Sequence, residues 1–399
     1  MTPTLTKTAR IDSRYDYHGE LKKAIEIADH YGFRLIPAPG IEKEDRAVAE
    51  RYGCPHEHAA FVRMMLHDER FRNSETHLVA HTRKVPYKNK LELRLEVLGD
   101  HDSSAEALLL QATNAILSDY GYKDVLVALN SVGGRESAAP FSQAMHSYLR
   151  PRLADLHPEC RERVRESIFA PLRCDHEPCQ ALRRDAPQSL NFLTDQSRQH
   201  FREVLEYLES FDIPYVIDPA LVGNEQYTTR TVFAIGVPSI ADNAQSIRFS
   251  QLLAWGERYD HLSKKSGAKK TVPAAHVTID VGTKNVKERF APAAKTSAAP
   301  AAYVIHVGLP AKIRTLLLGE TLRKAHIRVT VTLHKKSVIE QMEHAKALGT
   351  PLLLIIGQKE VHDGTVLIRH TATNQQDVVP FGNLCTYLKS AAASPRARR

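Results

Sequence analysis

Three cysteines and two histidines stand close enough in the chain to raise metal chemistry: Cys174, His176 and Cys179 in CDHEPC, with His157 and Cys160 upstream. Thiolate and imidazole are donors that zinc takes, but a structural site needs four of them in a tetrahedral array, usually from two paired clusters. A fourth ligand would have to be Cys160, His157 or a distant group. These side chains are therefore expected to be scattered and solvent-facing, with no metal bound. The 20 histidines are spread along the chain and show no His-Glu-x-x-His motif that would make another site. The glycines of GGRES, after LNSV, lack the Lys-Ser/Thr ending of a phosphate loop and are expected to form a turn. Charge is the second concentration of chemistry. KKSGAKK (264–270) could contact phosphate or RNA. Arg323, Lys324, Arg328, Lys335 and Lys336 gather around one helix end and strand. Phosphate contacts from such a group give affinity, while stacked bases give specificity.

These groups must be carried by a chain of 399 residues, long enough for two or three domains. Hydrophobic residues make up 43%, enough for sizeable cores and against wholesale disorder. The net charge of +8 favours a polyanionic partner such as RNA. Five cysteines, an odd number spread widely, suit a reducing cytoplasm better than a disulfide framework. Residues Met1 to Arg10 lack the apolar run of a signal peptide. No stretch approaches the ~20 apolar residues of a membrane span; the longest apolar run, Pro351 to Ile356, is strand-sized.

Hydrophobic periodicity orders the elements. Leu21, Ile25 and Ala28 recur at helical spacing, with Gly32 closing that helix. FRLIPAPG is a short strand. LELRLEVLG (91–99) alternates apolar and charged residues, as a strand with one solvated face does. Residues 104–120 form an apolar-striped helix, and DVLVALNSVGG is a buried strand running into a glycine turn. Residues 137–210 are mainly helical, with Phe201, Val204, Leu205 and Leu208 marking one stripe. TRTVFAIGV and PAAHVTIDVG are β-rich. APAAKTSAAPAA has linker composition. Beyond it, strands (YVIHVG, RVTVTL, PLLLIIG, TVLIRH) alternate with helices (AKIRTLLLGETLRKAHI, SVIEQMEHAKALG, LCTYLKS), arguing for a parallel or mixed sheet covered on both faces. The expected organisation is a frayed N-terminus over 1–10, a core over 11–290 with a helical insertion at about 137–210, a linker over 291–301, a small α/β domain over 302–390 and a basic tail over 391–399.

Residues 302–390 resemble the anticodon-binding domain shared by several class II aminoacyl-tRNA synthetases. AHIRV, then SVIEQMEHAKALGTPLLLIIGQKEV, then DGTVLIRHTATNQQDVVPFGNL follow that family's order. The middle of the chain resembles the histidyl-tRNA synthetases in particular. LNSVGG is similar to their INSIG, and the segment from APLRCDHEPC to YVIDPALV follows their pattern element by element. Their first histidine signature, LVRGLDYYT, stands here as LVGNEQYTT, and the second, GGGRYDGL, as WGERYDHL (255–262). The resemblance covers about residues 90–390. It implies an α+β class II catalytic domain with a central antiparallel sheet, followed by an α/β anticodon-binding domain. It also implies a homodimer, with Pro37 and Pro39 where the motif 1 interface would be, and tRNA or another RNA as partner.

Adenylation brings a carboxylate against the α-phosphate of ATP, so the family needs fixed positive charges there, with Mg²⁺. In this chain the Arg of LVRG is replaced by Gly223 and its Asp by Gln226. Around the motif 3 Arg stand Gly282, Thr283 and Lys284, beside Asp280. The motif 2 segment is short and offers Arg83 and Lys84. Lys284 is one residue out of register, and a point charge does not reproduce a bidentate fork. Removing one preorganised charge typically costs about two to three orders of magnitude in rate. No catalytic residue is therefore assigned, and no cofactor is expected; ATP and Mg would be needed only by an active ligase that draws on Arg83, Arg94 or Lys284. Tyr227, Arg258, Tyr259 and Asp260 remain. The resemblance makes them remnants of the pocket for the histidine side chain; the plainer reading makes them packing residues that hold two strands together. The expected function is a non-ligating, RNA-binding, cytoplasmic relative of the histidine ligases. The alternatives are a divergent active histidine–tRNA ligase, or a regulatory protein like the synthetase-related subunit of ATP phosphoribosyltransferase.

Overall fold

The computed structural model describes residues 20–68, 71, 76–85, 90–174, 176–239, 247–281, 300–335 and 337–393. The frayed N-terminus, most of the 291–301 linker, the end of the basic tail, Thr283, Lys284 and Lys336 lie outside the described residues.

Helix α1 (Glu20–His30) leads into a two-residue strand, β1 (Arg34–Leu35), then α2 (Lys43–Tyr52) and α3 (His56–His67). Strands β2 (His77–Val85) and β3 (Lys90–Leu98) precede α4 (Ser104–Asp119) and β4 (Leu126–Gly133). The predicted helical insertion contains α5 (Arg135–Leu149), the short α6 (Pro158–Arg163) and α7 (Glu177–Arg183), and α8 (Asp195–Ser210). Strands β5 (Tyr215–Ile217), β6 (Thr229–Pro238) and β7 (Phe249–Arg258) follow, then α9 (Leu262–Lys265) and β8 (Ala274–Asp280). The C-terminal segment runs β9 (Ala302–His306), α10 (Leu309–Lys324), β10 (Val329–Val331), α11 (Val338–Ala347), β11 (Leu352–Ile356), α12 (Gln358–Asp363), β12 (Thr365–His370), β13 (Gln376–Pro380) and α13 (Leu384–Ala393).

Two compact units divide this chain, and β3 runs through both. The larger, residues 39–78 and 94–280, holds the strand order β3-β8-β7-β6-β4-β5. Pairing is antiparallel between β4, β6, β7 and β8, while β5 lies parallel to β4. Helix α4 is buried on nearly all sides, from Ala105 through Leu117, as its all-round apolar sequence requires. Thr194 caps α8 by accepting the Ser197 N–H at 3.3 Å, satisfying one of the donors a helix start leaves open.

The other unit holds α1, β1, β2 and the C-terminal elements. Its five-stranded sheet has the order β10-β9-β11-β12-β13. The first three strands are parallel and the last two antiparallel, so the expected mixed sheet is what forms. Val304, Leu354, Ile356, Val366 and Ile368 fill one core with α10 and α13. Ser337 and Glu340 form a reciprocal capping box that starts α11.

Candidate functional site

Chemistry concentrates where α3, residues 94–98 of β3, β7, β8 and the loop before β6 meet, all within the larger unit. Alternation along β3 puts Arg94 and Glu96 on one face, and their side chains pair at 2.6 Å. Arg94 Nη2 reaches His58 Nδ1 at 3.2 Å. Arginine only donates, so the ring nitrogen it bonds accepts; the same Nη2 also lies 3.4 Å from the other ring nitrogen, Nε2. That nitrogen faces Glu257 Oε1 at 3.6 Å. Glu257 also accepts the Thr228 hydroxyl at 2.5 Å, and Glu96 accepts the Tyr259 hydroxyl at 2.7 Å.

The His58 ring lies 4.3 Å from that of Tyr259, 5.6 Å from Tyr227 and 4.6 Å from His276. All these groups are buried. Burial, followed by the neighbouring carboxylates, pushes the Tyr227 and Tyr259 phenols well above their ordinary value. Burial also raises Glu257. The two tyrosines therefore remain neutral hydrogen-bonding groups around an imidazole supplied by the chain itself.

Arg258 and Asp260 do a different job. The Arg258 guanidinium, 0% exposed, donates to Glu106 at 2.8 and 2.6 Å. It also donates to the carbonyls of Asp100 and Asp102 at 2.8 and 3.1 Å and to Asp260 at 3.3 Å. Burial opposes its charge, but Glu106 and Asp260 raise its pKa above the ordinary value. Glu106 is in turn held below the usual carboxylate range by Arg258 and His200, against its own burial. Asp260 accepts the Ala274 N–H at 3.0 Å. Of the four predicted pocket residues, Tyr227 and Tyr259 thus face the imidazole, while Arg258 and Asp260 tie the end of β7 to its neighbours.

Gly223 is packed so closely that a Cβ there would fall 2.2 Å from the Thr228 side chain. Among the cations that could replace the missing ones, Arg94 is committed to Glu96 and His58, and Arg83 is held by Glu92 at 2.7 Å. Gln226 accepts from Lys265 at 3.1 Å. The Lys265 ammonium also lies 4.6 Å from the Tyr52 ring centroid, so this part of KKSGAKK is anchored rather than free for phosphate.

In the smaller unit, the basic residues around the end of α10 are partly neutralised. Arg323 pairs with Glu320 at 2.7 Å and Arg328 with Asp29 at 3.0 Å. Lys324 is 67% exposed although 3.4 Å from Glu320. Lys335 follows β10 half-buried, with its carbonyl accepting from Gln341.

Two expectations are overturned. The charged face of β3 is not solvated: Arg94 and Glu96 are 4% and 0% exposed, because each is paired inside with the other. Cys160, Cys174 and Cys179 are neither scattered nor solvent-facing: all three are buried, at 2%, 8% and 0% exposure, and converge in the apolar core beneath α5. Their apolar bodies pack with Phe141, Met145 and Leu172, which explains their burial. The expectation of scattered, solvent-facing side chains did not include that both short helices turn a cysteine inward at the same place.

A catalytic-type sheet dominated by antiparallel pairing, followed by a small mixed α/β domain, defines a class II aminoacyl-tRNA synthetase architecture. Comparison with known proteins agrees. Residues 311–391 match the family described as anticodon binding domain. The chain is 32% identical over 298 residues to the histidine–tRNA ligase of Thermosynechococcus vestitus, spanning 74% of this chain and 67% of the relative. It is 26% identical over 378 residues to that of Symbiobacterium thermophilum, spanning 90% and 84%. The fold is similar to that of apo S. aureus histidyl-tRNA synthetase, with a TM-score of 0.51, 19% identity and coverage of 93% and 94% of the two chains. This chain belongs to the histidyl-tRNA synthetase family.

No helix among the described residues is long and apolar enough to cross a membrane.

Proposed function

We propose that this chain does not adenylate histidine and acts instead as an RNA-binding member of the family, a homodimer that contacts tRNA or a related RNA through its C-terminal domain. One observation carries the first half: His58 lies against Tyr227 and Tyr259, bonded to Arg94. A histidine substrate would have to displace an imidazole that already has its aromatic walls, its donor and its carboxylate. The cations of LVRG and motif 2 do not offset this, because Gly223 has no side chain, Arg94 is neutralised by Glu96 and Arg83 by Glu92. A nucleotide triphosphate reacts only where preorganised cations meet its developing charge. On this reading neither ATP nor Mg²⁺ is a required cofactor. The second half is supported by the match over residues 311–391 and by the net charge of +8.

Histidine-dependent pyrophosphate–ATP exchange tests the first half; the expected rate is background, and robust exchange would refute it. Filter binding across a salt series tests the second. The expected tRNA affinity is salt-sensitive, as counterion release demands, and weakens in K335E/K336E. Affinity that is unchanged in that variant would remove this surface from the proposal.

A further inference from the structure

The convergent thiols call for more than a packing explanation. Cys160, Cys174 and Cys179 are free, and their sulfurs all lie within 4.8 Å of one another. Helices α6 and α7 bring them there by the same device. His157 is the N-cap of α6 and Cys160 its third residue; His176 is the N-cap of α7 and Cys179 its third residue. Each helix thus delivers a His-x-x-Cys turn to one point, and the two imidazoles stack with centroids 3.5 Å apart. Cys174, two residues before His176, accepts the backbone N–H of that residue at 3.4 Å and lies 3.1 Å from its Nδ1. The Nδ1 of His157, by contrast, is buried with no hydrogen-bond partner.

We propose that Cys160, Cys174, Cys179 and His157 bind one structural zinc ion. Tetrahedral zinc with Zn–S bonds near 2.3 Å sets its sulfurs roughly 3.8 Å apart, a spacing the thiol cluster accommodates. Binding releases the three thiol protons to solvent and forms three Zn–S bonds and one Zn–N bond. The resulting site carries one net negative charge. Arg183 stands beside it, with Nη2 at 2.5 Å from the Cys174 carbonyl. As the side chains stand, His157 is grouped with Glu159 and His176 and not with the three sulfurs, so its ring must turn toward the sulfurs to complete the site. It is the better fourth ligand because its buried Nδ1 is otherwise unsatisfied, whereas His176 is exposed and already serves Cys174. A metal here also has a structural reason. Helices α6 and α7 have six and seven residues, too short to persist on propensity, and one ion would staple both to the α5 core.

The test uses the full chain, purified without added metal or chelator, with zinc measured by mass spectrometry. About one equivalent per chain is expected, falling to roughly a tenth or less in C160S/C179S. H157A is expected to weaken zinc binding by at least about tenfold, while H176A retains it. Should the cysteine variant fail to fold, wild-type protein stripped of metal and titrated with cobalt(II) chloride reads the same site. Thiolate-to-cobalt charge-transfer and tetrahedral ligand-field bands are expected. Wild-type protein that holds no zinc and gives no such bands, its three thiols reacting freely or forming a disulfide, would overturn the site. Loss of zinc in H176A with retention in H157A would overturn the assignment of the fourth ligand.

Discussion

Thr228 stands against Gly223 so closely that a Cβ on residue 223 would lie 2.2 Å from both its hydroxyl and its methyl group. The hydroxyl cannot simply swing aside, because it accepts the Asn224 N–H at 2.7 Å and donates to Glu257. Restoring the family's arginine at this position therefore does not restore an anion site. G223R is expected to lower stability by about 1–3 kcal/mol through overpacking, read from denaturant midpoints, with exchange activity still at background. A G223R protein that is as stable as wild type and active in pyrophosphate exchange would show that the loop can reopen.

If His58 fills the place of a substrate imidazole, removing it should leave a hole that imidazole fits. H58A is expected to lose about 2–4 kcal/mol from the cavity and the broken contacts to Arg94 and Glu257. Free imidazole binding only the folded variant should return part of that loss as its concentration exceeds the dissociation constant. Thermal melts of wild type and H58A across an imidazole series check this. A stabilisation of H58A that wild type lacks supports the filled pocket, and equal responses would count against it.

The sequence leaves Arg258 open between a binding-pocket remnant and a packing residue, and in the structure its bonds tie the end of β7 to its neighbours. Its partner Glu106 is also fully buried, so R258A would leave an interior carboxylate with the His200 ring as its remaining side-chain partner. The expected cost is about 3–5 kcal/mol. R258K should recover little of it, because an ammonium cannot reproduce two parallel bonds to Glu106 while also serving the Asp100 and Asp102 carbonyls. Urea unfolding of the three proteins, with the intrinsic fluorescence of Trp255 as probe, gives the ranking; a lysine variant near wild type would contradict it.

These residues show where the sequence was legible and where it was not. The C-terminal strands β9, β11 and β12 are short apolar runs between helical stretches, and their period is unambiguous. Strand β7 escaped because FSQLLAWGER neither alternates strictly nor runs apolar, so its place between β6 and β8 comes from tertiary pairing. β13 escaped for a similar reason, having only Val379 buried. His58 was missed as one charge-capable residue in a polar stretch. The signal was nevertheless present: His58, Phe61 and Met65 share a helical stripe, and all three are buried. A histidine on an apolar stripe must find polar partners inside, but nothing in the sequence says they are Arg94 and Glu257. The thiols were likewise legible as spacing and illegible as depth. His-x-x-Cys recurs at 157–160 and 176–179, yet only packing beneath α5 turns both inward.

A buried histidine in the C-terminal domain offers a test of that unit by itself. His306, 1% exposed, has its backbone N–H bonded to Gln341 at 2.9 Å, while its Nε2 lies 3.3 Å from the Thr332 carbonyl. Burial, assisted by the charge of Lys312, pulls its pKa down from 6.5 to about 4. The folded domain therefore keeps the ring neutral where the unfolded chain would already take up a proton. Stability from this source is complete above pH 6.5, falls as the pH drops toward about 4, and loses nothing further below that. The full drop is worth about 3 kcal/mol. Hydrogen-exchange protection of the β9 amides, measured in steps from pH 7 to pH 4 after correction for intrinsic exchange rates, should decline accordingly. H306Q, which can still donate to Thr332, should flatten the decline even if it lowers the starting value. An equally steep decline in that variant would place the pH sensitivity on another group.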